Sequence, residues 1–72
     1  MPTHDDAARK GLVDALLEKI EADPYPSSSM LDVLESILRP EEVAAYAEVL
    51  LEHIRQDTFP SLTLINRVQS LT

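Results

Sequence analysis

With 72 residues, six basic against thirteen acidic side chains and no cysteine, the chain allows one small domain and excludes disulfides and thiolate metal sites. Its net charge of −7 opposes phosphate backbones and anionic lipid, so direct nucleic-acid and membrane partners are not expected. The hydrophobic content of 44% is that of a globular chain, and no apolar run approaches the ~20 residues of a membrane span.

Residues 1–4 read as a short frayed tail. The stretch Met1-Pro2-Thr3-His4-Asp5-Asp6 is acidic where a secretory signal would be basic and then apolar, so the expected location is cytoplasmic. Thr3 followed by Asp6 has the spacing of a capping box, and it opens a helix predicted over about 5–22. Leu12, Val13, Leu16, Leu17 and Ile20 form its apolar stripe, with Asp14, Glu18, Lys19 and Glu21 on the other faces. Gly11, the only glycine, lies inside this helix and is either a close-approach point or simply tolerated.

Pro24 and Pro26 stop that helix, because proline lacks an N–H and drives the residue before it to extended geometry. Ser27 is the predicted cap of a second helix over about 28–38, which buries Met30, Leu31, Leu34, Ile37 and Leu38. Arg39-Pro40-Glu41-Glu42 starts a third helix that runs to about Gln56, with proline and acids suited to its first turn. Its stripe is Val43, Ala47, Leu50, Leu51 and Ile54, with Tyr46 at the edge, and Glu52 is placed to pair with Arg55. Ser61 caps a last helix over about 62–71, carrying Leu64, Ile65, Val68 and Leu71.

The chain contains a repeat. Asp23-Pro24-Tyr25-Pro26-Ser27 returns as Asp57-Thr58-Phe59-Pro60-Ser61, and Leu16-Leu17-Glu18-Lys19-Ile20 aligns with Leu50-Leu51-Glu52-His53-Ile54 without a gap. The offset equals the tetratricopeptide period, but the tryptophan and Gly-Tyr positions of that signature are missing, and two units are too few for a solenoid. The fold class expected is all-α. It is a compact four-helix domain over 1–72, made of two tandem long–short helical hairpins, about 5–38 and 41–72, with pseudo-twofold symmetry. Tyr25 and Phe59, each ahead of a capping serine, are expected to act as the N′ members of hydrophobic staples on Leu31 and Ile65.

No residue pattern points to catalysis. His4-Asp5-Asp6 has ligand chemistry but not convergent geometry, His53 stands alone in mid-helix, and the carboxylates line outer helix faces. The serines have capping or surface roles, the basic residues are dispersed, and the single glycine cannot build a phosphate loop. The expectation is a non-enzyme with no metal and no cofactor.

What distinguishes the copies is charge. Every acid lies at or before Asp57, and beyond it only Arg67 is charged. Ser28, Asp32, Val33 and Glu35 of the first copy become Leu62, Asn66, Arg67 and Gln69, so Leu62, Ile65, Asn66, Arg67 and Gln69 are the candidate protein-contact residues. Leu62 either begins that contact patch or packs under the N-terminal helix. The leading functional expectation is a small interaction module that associates with a protein partner, itself included as a homodimer. An acidic inhibitor or nucleic-acid mimic binding a basic partner is the second, and a structural subunit of a larger assembly, such as a viral particle, is the third.

Overall fold

The computed structural model describes residues 4–72, and side chains from Asp6 onward. The capping pattern at Thr3 and the His4-Asp5 ligand pair therefore lie outside the described side chains. Among the described residues the chain is all-α, with no strand. It has α1 over His4–Ala22, α2 over Ser28–Ile37, α3 over Val43–Gln56 and α4 over Leu62–Leu71. The chain divides into two units between Leu38 and Arg39. In the first α1 packs with α2, and in the second α3 packs with α4.

In the first unit α1 contributes a narrow seam. Val13 and Ile20, two turns apart, are fully buried, Leu16 and Leu17 between them are half-buried, and Leu12 is 46% exposed. Gly11 has nothing within 4 Å of where a Cβ would stand, so it is a tolerated glycine and not a close-approach point. The last turn closes with the Asp23 N–H donating to the Lys19 carbonyl at 3.0 Å, and Pro24 then forbids continuation.

Ser27 caps α2 as its position predicts. Its Oγ accepts from the Met30 N–H at 3.0 Å, and its carbonyl accepts from the Leu31 N–H at 3.1 Å. Leu31 and Leu34 are fully buried, while Met30, Ile37 and Leu38 are half-buried. At the far end Arg9 Nη1 donates to the Ile37 carbonyl at 3.0 Å. A cation thus satisfies a carbonyl that the end of α2 leaves without a helical partner.

The second unit opens differently from the single helix expected there. Pro40–Glu42 form a 3-10 turn, and the α-helix proper begins at Val43. The first-turn acid acts as an N3 residue does in a capping box: Glu42 Oε1 accepts from the Arg39 N–H at 2.9 Å. Tyr46 is not an edge residue but fully buried, together with Leu50 one turn later. The reason is volume: the tyrosine ring supplies apolar area that Ala47, nominally central to the stripe, cannot. On the outer face Arg55 bridges Glu48 at 3.1 Å and Glu52 at 3.3 Å. Those hydrogen bonds, Glu48 first, hold the guanidinium pKa above its ordinary value.

The two turns share several hydrogen bonds at positions 34 residues apart, the offset between Ser27 and Ser61, but the cap bonds differ: Ser27 Oγ accepts from the Met30 N–H and Ser61 Oγ from the Thr63 N–H. Asp57 N–H donates to the His53 carbonyl as Asp23 does to Lys19, and the Ser61 carbonyl accepts from Ile65 as Ser27 does from Leu31. Each aspartate also turns back on the aromatic two residues ahead, Asp23 on the Tyr25 N–H at 2.9 Å and Asp57 on the Phe59 N–H at 3.1 Å. Even Ser36 and Ser70 repeat, each donating to the carbonyl three residues back.

Burial does not follow the repeat. None of the buried hydrophobics has a buried equivalent in the other copy: Leu31 answers to exposed Ile65, Tyr46 to exposed Leu12, and Leu64 to half-buried Met30. The copies share a turn and differ in the helix faces they turn inward.

Candidate functional site

The helix after Ser61 places the candidate residues by simple geometry. At about 100° per residue, Leu62, Ile65, Asn66 and Gln69 fall within one third of the helix circumference. Leu64, Arg67, Val68 and Leu71 fall opposite them. Burial follows this division. Leu64 is buried and Arg67, Val68 and Leu71 are half-buried, whereas Leu62, Ile65, Asn66 and Gln69 are exposed. Leu62, at 73% exposed, does not pack under a neighbouring helix and stands in solvent. Arg67 does not join the patch, because it belongs to the inward side of α4.

The turn adds a residue that the sequence allows as either a buried staple or an exposed contact. Phe59 is 85% exposed, and its equivalent Tyr25 is 82% exposed, so neither ring forms the expected staple. The physical reason lies in the count from the cap. Ser27 and Ser61 are the caps, so the N′ positions are Pro26 and Pro60, and the aromatics stand one residue further out. In extended chain successive side chains point to opposite sides. Pro26 is accordingly half-buried while Tyr25 faces outward, whereas Pro60 is exposed together with Phe59. Counting from the capping serine, rather than noting an aromatic nearby, is the signal that finds these residues.

Leu62 and Ile65 share the outer face of α4 with Asn66 and Gln69, and exposed Phe59 stands in the turn three residues ahead of Leu62. Asp57, the last acid of the chain, directs its Oδ1 to the Phe59 N–H. The strip itself carries no charge. Its counterpart in the first copy is exposed Tyr25 with exposed Ser28 and Asp32 and half-buried Glu35.

Four of the serines have structural employment. Ser27 and Ser61 are caps, and Ser36 and Ser70 donate to helix carbonyls at 2.6 and 2.8 Å. No group of three or more His, Cys, Asp or Glu among the described residues is placed to hold a metal ion. No helix among them is long and apolar enough to cross a membrane. Comparison with protein-family models, curated proteins and solved structures finds no match to this chain. The reading of function therefore rests on the surface chemistry of Phe59, Leu62 and Ile65.

Proposed function

We propose that this chain is a small acidic protein-interaction module, without catalytic activity, that acts in the cytoplasm and associates with a second copy of itself. The observation that carries the reading is the exposure of Phe59 at 85% and Leu62 at 73% beside Ile65. Isolated exposed apolar residues are ordinary, but three of them within seven residues, with no charge among them, suit a protein contact on a small acidic chain. The aromatic member is also held in place. The Asx hydrogen bond at Phe59 and the adjacent Pro60 reduce the conformational freedom lost on binding, which favours a preformed anchor.

Size-exclusion chromatography with light scattering, over a wide concentration range, tests the reading. The apparent mass should rise with concentration from that of the 8.0 kDa monomer. A monomer at every concentration removes self-association.

A second reading draws on α1, where Asp14, Glu18 and Glu21 are exposed at helical spacing and suit a basic partner. Binding of that kind weakens steeply with salt. A complex with a basic protein that is indifferent to ionic strength counts against it.

A further inference from the structure

The charge distribution and the comparison of the two turns narrow this self-association to one face and one symmetry. We infer that two copies of this chain pair isologously through the outer face of α4, with Leu62 on the twofold axis. In that arrangement Leu62 meets Leu62 of the second copy, and Phe59 meets Ile65 of the second copy. The inference rests on the self-association proposed above and adds its surface and geometry.

The first argument is electrostatic. Any partner identical to this chain brings a net charge of −7 with it, so a self-contact must avoid the acids. Residues 1–38 hold eight acids against three bases, net −5, and residues 39–72 hold five against three, net −2. From Thr58 onward no acid remains, and Arg67, the only charge there, lies on the inward side of α4. The outer face of α4 is thus where two acidic copies meet without like-charge repulsion.

The second argument uses the first copy as an internal comparison. Its turn has the same Asx hydrogen bond, the same capping serine and an aromatic exposed to the same degree. The helix after that aromatic carries Ser28, Asp32 and Glu35, where the second copy has Leu62, Asn66 and Gln69. The second copy has a neutral amide at each of the two acidic positions and leucine in place of serine. Removing acid favours a partner that is itself acidic, and this chain is one. A basic partner would gain from the opposite change.

The third argument is geometric. A twofold interface brings a surface onto itself, so its central residue must tolerate its own copy. Leu62 is apolar and 73% exposed at the first position of α4, with exposed Phe59 three residues before it in the turn and Ile65 three residues after it on the same helix face. Phe59 alone offers about 150–250 Å². With its two aliphatic neighbours the strip falls in the range of roughly 300–600 Å² typical of functional surface patches. Twice that area is at or below the lower limit of stable interfaces, about 1,200 Å². The dimer is therefore weak and concentration-dependent.

Three variants test the inference, with self-association of each measured by sedimentation equilibrium. Leu62→Glu should weaken association at least tenfold while leaving the helical circular dichroism and thermal midpoint of the monomer unchanged. Because the chain lacks cysteine, Leu62→Cys gives a single thiol at the proposed axis. It should form a disulfide-linked dimer under mild oxidation at least tenfold faster than Ser28→Cys, the equivalent exposed position of the first copy. If the wild type associates and Leu62→Glu associates equally well, the face is wrong, although the chain still self-associates. Equal trapping of Leu62→Cys and Ser28→Cys overturns the symmetry about Leu62. A wild type that is monomeric throughout overturns both the inference and the self-association on which it rests.

Discussion

Replacing Phe59 by Ala separates a surface anchor from a core staple. A buried phenylalanine truncated to alanine costs about 3–5 kcal/mol, through lost transfer energy and the cavity left behind. Phe59 is 85% exposed, so only about a seventh of a transfer term of roughly 1.5–3 kcal/mol is in play, a few tenths of a kcal/mol. No cavity opens, because the ring does not fill one. The contrasting substitution is Tyr46→Ala, which removes a fully buried ring and should cost the full 3–5 kcal/mol or so. A chain of 72 residues has a total stability of roughly 4–11 kcal/mol, so Tyr46→Ala removes from about a quarter to all of it.

The assay is urea denaturation followed by helical circular dichroism, repeated as thermal melts. At about 4–8 °C per kcal/mol for a domain of this size, Phe59→Ala should lower the midpoint by no more than about 3 °C. The measurement belongs at the lowest workable concentration, since a dimer stabilises the folded chain by mass action and would add a contribution that Phe59→Ala removes. A loss above about 1.5 kcal/mol for Phe59→Ala at that concentration would refute the placement of the ring in solvent. Tyr25→Ala, at 82% exposed, carries the same expectation.

Further substitutions check the local physics. Ser27→Ala and Ser61→Ala each remove an N-cap hydrogen bond and should cost about 1 kcal/mol in the same denaturation assay. Gly11→Ala should stabilise by roughly 0.5–1 kcal/mol, because the site is helical and the added Cβ meets nothing within 4 Å. A loss instead would place an unseen neighbour there. Arg9→Ala removes the guanidinium that bonds the Ile37 carbonyl and should cost about 1–2 kcal/mol. Hydrogen exchange at the end of α2 should accelerate more than at its start if the damage is local.

The parts of this fold that could be read from sequence are those determined by a residue and its immediate neighbours. Pro24 ends α1 because it has no N–H to give, and Ser27 and Ser61 begin their helices because a hydroxyl reaches the first free backbone donors. Glu52 meets Arg55 because a helix puts them side by side. Which face of each helix turns inward is a different kind of fact, determined by the volumes that pack together. Tyr46 displaced Ala47 from the centre of its stripe for that reason, and no periodicity distinguishes the two.

Arg67 shows the same limit within the candidate site. Read by charge, it joins Asn66 and Gln69 as a surface residue of α4. Its position three residues after Leu64 places it on the inward side, where it is half-buried and its Nε is out of reach of solvent. Comparing the two copies identifies the residues that changed, and the helical angle decides which of them face a partner. Leu62, Asn66 and Gln69 meet both conditions, and Phe59 meets the second alone, as its aromatic counterpart Tyr25 is equally exposed. The aromatic turn is therefore common scaffolding, held in both copies by the same aspartate bond. What separates the two copies on their outward faces is the uncharged side of α4 that follows Ser61.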